Sequence, residues 1–168
     1  MNIIKQAESA KQASIRLAIL PTKIKNKALL AIADALKKNS KNILDANKKD
    51  VEDAKKSSLN EVLIKRLMMD KHKIDEMIKE VRGVAKLEDP VGKILSQVEL
   101  DKGLMLYQVT CPIGVIGAIF EARPDAVVQI SALCPKSGNA VILKGGSEAK
   151  NSNRALVKII SETAEKNN

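Results

Sequence analysis

A short apolar segment in the second half constrains the fold more than any other feature of this chain of 168 residues. Residues 115–120 form an unbroken apolar run, which is typical of a strand that is buried on both faces. A helical segment from about 124 to 136 follows, and then a second apolar strand at 140–143. This order of strand, helix and strand predicts a parallel βαβ unit in an α/β fold. Because two buried strands need further neighbours, the sequence predicts only part of a doubly wound sheet.

Residues 1–92 are predicted to form an N-terminal helical region. Between 22 and 39 the apolar side chains recur every three or four positions, which lines one face of a helix. Ser40 can cap a further helix, and Asn60 and Asp70 can cap two more. The pair Asp89-Pro90 then ends the helical stretch.

Residues 93–111 are predicted to form a β-hairpin. The apolar period changes to two over 94–99, a turn with a glycine follows at 101–103, and a second extended segment covers 104–109. The βαβ unit and a last helix, which runs to about Lys166, fill the remaining part, 112–168.

The charge distribution favours solvated helix faces over a nucleic-acid interface. The chain has 29 Lys and Arg against 20 Asp and Glu, a net charge of +9. The lysines alternate with acidic residues over 41–86, and Tyr107 and Phe120 are the only candidate base-stacking platforms. No apolar stretch approaches the roughly 20 residues that a bilayer requires, and two cysteines are too few for a disulfide framework. We therefore expect a reduced, cytoplasmic chain that binds neither nucleic acid nor membrane.

A segment that joins the second buried strand to the last helix is the first candidate binding site. Ligands of open α/β sheets gather at the carboxyl ends of the strands, where glycines and a helix N-terminus can approach phosphate or ribose oxygens. An ordinary loop with an N-cap is the better explanation of the pattern from position and chemistry alone, since neither a P-loop nor the dinucleotide fingerprint occurs. The segment consists of Lys144, Gly145, Gly146, Ser147 and Glu148.

Arg123 follows the first buried strand at the matching position and is the second candidate. Its guanidinium could bind a carboxylate or phosphate through two hydrogen bonds, while Asp125 could cap the next helix. Alternatively, Arg123 pairs with Glu121 or Asp125 and has a structural role only.

The cysteines and the histidine give little sign of catalysis. Packing is the better explanation for Cys111, at the end of a hairpin strand, and for Cys134, on an apolar helix face with Ile130 and Leu133. His72 lies among lysines, as a surface histidine would, and no spacing of metal ligands occurs.

Two segments resemble the gamma-glutamyl phosphate reductase family, whose members are also called glutamate-5-semialdehyde dehydrogenases. They are 110–125, TCPIGVIGAIFEARPD, and 137–149, SGNAVILKGGSEA. Shorter segments upstream resemble the family in the same order, at 43–47, 50–51, 65–67 and 87–92. The resemblance therefore runs nearly from end to end of the chain.

The resemblance implies an aldehyde-dehydrogenase-like fold and a role in proline biosynthesis. The family reduces L-glutamate 5-phosphate with NADPH to the 5-semialdehyde and releases phosphate. Its nucleophilic cysteine lies beyond residue 168, so the chain would be the N-terminal part without the catalytic domain. A homo-oligomer formed through the hairpin and a functional link to glutamate 5-kinase are also implied.

The resemblance assigns roles to the two candidate sites. The position of Lys144 is the one at which the wider superfamily contacts the adenosine ribose, and Ser147 and Glu148 follow where ribose or 2′-phosphate contacts are usual. Arg123 replaces an asparagine of the wider superfamily, and we expect it to contact a phosphate or carboxylate of the substrate. Pro135 departs from the leucine usual in the family and is expected to weaken the helix locally.

Two other interpretations of the chain remain open. It could be a catalytically silent module that retains part of a nucleotide site, or a basic helical interaction protein. Saturable NADPH binding that depends on Lys144 distinguishes the first from the second.

Overall fold

The computed structural model describes residues 2–166, so residues 1, 167 and 168 of the predicted first and last regions lie outside the described residues. Within the described part, the elements in chain order are helices α1 (Ile3–Ala18), α2 (Thr22–Lys38), α3 (Ser40–Lys56), α4 (Glu61–Leu67) and α5 (Lys71–Lys86), strands β1 (Ile94–Asp101), β2 (Leu104–Val109) and β3 (Val115–Ile119), helix α6 (Pro124–Lys136), strand β4 (Ala140–Lys144), a 3-10 turn (Ser147–Ala149) and helix α7 (Lys150–Glu165). No helix in this part is long and apolar enough to cross a membrane.

The core lies between α2, α3, α5, α6 and α7, to which α3 contributes Ile43 and the other helices contribute several apolar residues each. Leu36, Ile43 and Leu156 are fully buried in it. The predicted caps are confirmed at Asn60 and Asp70, whose side chains accept hydrogen bonds from the first turns of α4 and α5. Ser40 is not a cap, because it is already helical and Asn39 holds that position without a side-chain bond.

Helix α1 packs against the small parallel sheet and contacts β4 and β3. Ser14 is its buried residue, and the side chains of Ile3, Ile4 and Ile15 are more than half exposed. The bounds of this helix could not be predicted from the sequence, because its buried residue is a serine while Ile3, Ile4 and Ile15 are exposed.

Strands β1 and β2 form the predicted antiparallel hairpin. Its turn contains Gly103 at φ +78°, a left-handed conformation that glycine adopts without strain. All eight residues of β1 and five of the six in β2 are exposed, so the two-residue period does not mark one buried face. The hairpin extends from the rest of the chain and offers apolar side chains on both faces, including those of Leu95, Val98 and Leu106.

Strands β3 and β4 pair in parallel, with Val115 opposite Ala140 and Ile119 opposite Lys144. The predicted βαβ unit is therefore confirmed. The predicted burial of β3 on both faces is not confirmed, because Ile119 is 86% exposed. Side chains of a strand point alternately to the two faces of the sheet, and among the described residues no layer covers the face at Ile119.

Candidate functional site

The site lies where the two parallel strands end. The chain after β3 runs beside the chain after β4, because the Phe120 N–H donates to the Lys144 carbonyl at 3.1 Å. The fold thus brings together the two predicted candidates, the segment from Lys144 to Glu148 and the turn that contains Arg123. Their position at the carboxyl ends of parallel strands is the usual ligand position in open α/β sheets.

The first half of the segment is an exposed lysine followed by two tightly placed glycines. Lys144 is exposed, and its Nζ donates to the Gly145 carbonyl at 2.9 Å. A methyl group on Gly145 would collide with the Asn153 side chain and lie 3.1 Å from the Phe120 ring. A side chain at Gly145 would therefore require Asn153 to move.

The second half differs from the sequence prediction, because it does not open the last helix directly. Ser147 begins a 3-10 turn, and α7 starts only at Lys150 with Ala149 in the cap position. Ser147 is exposed, as is Lys144 three positions earlier.

Glu148 connects the two loops. Its Oε1 accepts a hydrogen bond from the backbone N–H of Ala122, which lies 26 positions earlier. Ala122 is fully buried and has φ +46°, an uncommon conformation for a residue other than glycine. This contact fixes the turn before Arg123 relative to the segment after β4.

In this conformation Arg123 pairs with Asp125, which is the structural role that the sequence left open. Its guanidinium lies 2.9 Å from the Asp125 carboxylate, and this hydrogen bond with the accompanying charge raises the pKa of Arg123. Asp125 is not the cap of α6; Arg123 holds that position, with Pro124 in the first turn. Since the Arg123 side chain is 53% exposed, it can exchange Asp125 for an anionic ligand.

The two cysteines have different surroundings. Cys134 is buried as predicted, and burial raises the pKa of its thiol, although Leu133 beside it is half exposed. Packing does not explain Cys111, which is exposed beyond the end of β2. The His72 side chain is 76% exposed, as expected. Among residues 2–166, no group of three or more His, Cys, Asp or Glu is placed to hold a metal ion.

Sequence reasoning missed two residues of this site. Ala122 carries no signal, because alanine gives no indication of a left-handed backbone conformation. Asn153, whose buried Oδ1 has no hydrogen-bond partner among residues 2–166, lies one helical turn into α7 and reaches Gly145 only through tertiary packing.

The sequence of the chain is similar to those of curated gamma-glutamyl phosphate reductases. It is 53% identical over 165 residues to the gamma-glutamyl phosphate reductase of Acetivibrio thermocellus, which covers 98% of this chain but 38% of that protein. The chain therefore spans less than half the length of the curated relatives that it matches. No protein-family model matches it.

Solved structures agree with this comparison. The crystal structure of gamma-glutamyl phosphate reductase from Thermotoga maritima superposes with a TM-score of 0.95 at 40% identity, over 99% of this chain and 40% of the other. An NAD-dependent benzaldehyde dehydrogenase from Corynebacterium glutamicum gives a TM-score of 0.70 at 19% identity, over 93% of this chain and 32% of the other. The second match shows the aldehyde-dehydrogenase-like fold alone. Together these similarities assign the chain, over nearly its whole length, to the N-terminal part of the gamma-glutamyl phosphate reductase family.

Proposed function

We propose that this chain is the N-terminal part of an NADPH-dependent reductase of proline biosynthesis. The reaction converts L-glutamate 5-phosphate, NADPH and a proton into L-glutamate 5-semialdehyde, NADP and phosphate. The observation that carries the proposal is the pair of joined loops at the carboxyl ends of β3 and β4, in a chain with this family relationship.

The segment Lys144, Gly145, Gly146, Ser147 and Glu148 is the proposed cofactor site. Its position suits a nucleotide, because it follows the carboxyl end of β4 and the Lys144 and Ser147 side chains on it are exposed. The Lys144 ammonium matches a ribose or 2′-phosphate oxygen in charge, and the Ser147 hydroxyl can donate or accept. When bound, NADPH supplies the hydride.

Arg123 is the proposed substrate contact. Its planar guanidinium can bind a phosphate or a carboxylate through two parallel hydrogen bonds. Binding would replace the present bond to Asp125, so the carboxylate of Asp125 holds the guanidinium until an anion arrives.

The nucleophile is expected beyond residue 168, in the catalytic domain. A nucleophilic cysteine must be accessible and have a lowered pKa. Burial raises the pKa of Cys134, and Cys111 lies next to Pro112 at the other end of β3 from the proposed site. Neither cysteine therefore meets the requirement for the reaction.

The hairpin supports association into a homo-oligomer. Its exposed apolar residues on both faces form the kind of surface that a neighbouring protomer covers. The substrate is an acyl phosphate, so a kinase that phosphorylates the side-chain carboxylate of glutamate must supply it, which supports a functional link to glutamate 5-kinase. A cytoplasmic location is consistent with the two free cysteines.

The cofactor site is tested by titrating the purified chain with NADPH and NADH. We expect saturable binding, and we expect Lys144→Met to weaken NADPH by about 1 to 3 kcal/mol, more than it weakens NADH, because a charged hydrogen bond is lost. Lys158→Met is the matched control, since Lys158 is exposed in the middle of α7 and pairs with Glu162.

Equal losses for both cofactors would remove the 2′-phosphate from the proposal. Saturable binding that is insensitive to Lys144 would move the site elsewhere. Absence of binding would contradict a cofactor site in this chain on its own and favour the basic interaction module.

A further inference from the structure

Gly146 provides the space that the contact between Glu148 and Ala122 requires. Gly146 has φ −69° and ψ 159°, which any residue adopts, so its backbone conformation does not call for glycine. A methyl group at this position would collide with both carboxylate oxygens of Glu148. Gly146 therefore leaves the space in which the Glu148 carboxylate turns back towards the other loop.

The carboxylate accepts its hydrogen bond from Ala122, whose backbone conformation requires stabilisation. Ala122 is 0% exposed with φ +46°, and a left-handed conformation costs a non-glycine residue on the order of 1 kcal/mol or more. Its buried N–H would also lack a partner without Glu148. A hydrogen bond from a backbone N–H to a carboxylate is stronger than one between neutral groups, so it can stabilise this conformation.

The position of Ala122 determines what the contact achieves. Arg123 is the next residue, and Pro124 begins α6 immediately afterwards. A change at Ala122 therefore reorients the Arg123 side chain, whereas α6 is anchored in the core by Val127 and Val128. The Glu148 carboxylate thus controls the one short segment that joins β3 to the anchored helix.

We propose that Glu148 is a positioning residue: through the Ala122 N–H it fixes Arg123 relative to the segment that begins at Lys144. The inference rests on the proposed function for the roles of the two loops, but the contact itself needs no ligand. Glu148 then acts on Arg123 through Ala122, from within the segment proposed as the cofactor site, while the Lys144 and Ser147 side chains on that segment are exposed.

Two variants of similar size separate the hydrogen bond from the shape of the side chain. Glu148→Gln retains an oxygen that can accept from Ala122, whereas Glu148→Met retains the length and loses the acceptor. Gly146→Ala displaces the carboxylate without altering it. Glu121→Gln is the control, because it removes the same charge from the exposed residue next to Ala122.

The readout is amide hydrogen exchange, resolved by NMR in the chain without ligand. We expect exchange at Ala122 to become at least about tenfold faster in the Met and Ala variants, because the bond that protects the amide is lost, and to change less than about threefold in the Gln variant and the control. The Arg123 Nε–H signal should shift in the Met variant and return in the Gln variant. Amides of α2 should exchange as in the wild type, which separates local positioning from global destabilisation.

Equal exchange at Ala122 in the Gln and Met variants would overturn the proposal, and so would an Arg123 signal that none of the variants moves. If the Met variant does not fold, Gly146→Ala gives the same comparison. NADPH is then added to the wild-type chain. A chain that binds no NADPH but passes the exchange test contradicts the cofactor site alone, whereas a chain that binds NADPH and fails the exchange test contradicts only the role of Glu148.

Discussion

At the scale of single residues, Asp50 shows how one carboxylate can join two distant helices. It lies on α3, is 3% exposed, and accepts four hydrogen bonds from the first turn of α7. The donors are the backbone N–H groups and side chains of Asn151 and Ser152, at 2.6 to 3.0 Å. Asn47, one turn earlier on α3, also bonds to Ser152. Asp50 therefore caps α7 from another helix, since Ala149 in the cap position has no side chain to do so.

We expect Asp50→Asn to reduce the free energy of unfolding by about 2 to 3 kcal/mol, because an amide cannot accept all four bonds and leaves buried donors unpaired. Denaturant unfolding of the purified chain measures this loss. Asp53→Asn is the control, because Asp53 lies on the same helix and its side chain is 71% exposed. A loss of equal size in the control would show that charge on α3, and not the cap, stabilises the fold.

Arg123 provides a test of the proposed substrate contact. In the chain complemented with the C-terminal part of a gamma-glutamyl phosphate reductase, we expect Arg123→Lys to raise KM or lower kcat and to leave cofactor affinity nearly unchanged. Lysine keeps the charge and loses the planar pair of donors. Steady-state kinetics with L-glutamate 5-phosphate check this. Unaltered kinetics would leave the bond to Asp125 as the only role of Arg123.

Single residues could be predicted from the sequence where their role is local. Asn60 and Asp70 bond to backbone N–H groups two or three positions away, so adjacent sequence defines them. The conformation of Ala122 depends on its bond to Glu148, 26 positions away, and no local pattern reveals it.

At the scale of elements, a buried charged cluster joins α2, the end of α6 and the segment before the hairpin. The Lys25 Nζ lies 2.6 Å from the Asp89 carboxylate, and Lys136 donates to Asn26 and to the Ala85 carbonyl. Burial, only partly offset by the charge of Asp89, lowers the pKa of Lys136. The charged groups of this cluster bond to other protein groups, so the cluster links α2 to the end of α6 and to the segment before the hairpin.

This cluster predicts a dependence of stability on acid. Burial opposes ionisation of Asp89, but hydrogen bonds from Lys25, Thr22 and the Val91 N–H outweigh it, so the pKa of Asp89 is lowered in the folded chain. A lowered carboxyl pKa contributes stability above the unfolded value of about 3.9, and this contribution is lost as the pH falls through the folded value.

We therefore expect Lys25→Met to cost about 2 to 4 kcal/mol at pH 7 and to flatten the fall in unfolding free energy below about pH 4. Unfolding measured between pH 7 and pH 3 tests both effects. Glu88→Gln is the control, because it breaks the exposed pair of Glu88 with Lys93 and should cause no measurable loss. A Lys25→Met curve that runs parallel to the wild-type curve would contradict the role of Asp89.

Elements were predictable where the apolar pattern reflects burial. Helix α2 and the unit β3, α6 and β4 follow their periodicities closely. Helix α1 could not be delimited, because it turns Ser14 towards the fold and leaves Ile15 exposed. The apolar run at β3 correctly predicted a strand. The burial that this run also predicted is not provided at Ile119 by the described residues alone. Pro135 lies inside α6 as its second-to-last residue, and its local destabilising effect stays a prediction.

At the scale of the whole molecule, we expect the chain alone to be catalytically inactive. Phosphate-dependent reduction of NADP with glutamate semialdehyde, the reverse reaction, measures this with the chain and with its Cys111→Ala and Cys134→Ala variants. Activity should appear only when the C-terminal part of a relative is added, because a thioester requires a nucleophile and donors to its oxyanion. Turnover by the chain that either cysteine variant abolishes would contradict the prediction.

We also expect the isolated chain to self-associate in sedimentation experiments, since the sheet edge and the hairpin are uncovered.

The bond between Asp50 and Ser152 also bears on how the chain is made. Its two ends are 102 positions apart, so it has to form after most of the chain has been synthesised. At a synthesis rate of about 5 to 20 residues per second, α3 leaves the ribosome roughly 5 to 20 seconds before α7 does. During that interval the face of α3 that packs against α7 lacks its partner, whereas α2 can already pack against α5. A chaperone that binds incompletely packed helices therefore has its opportunity at this face of α3 before residue 152 emerges.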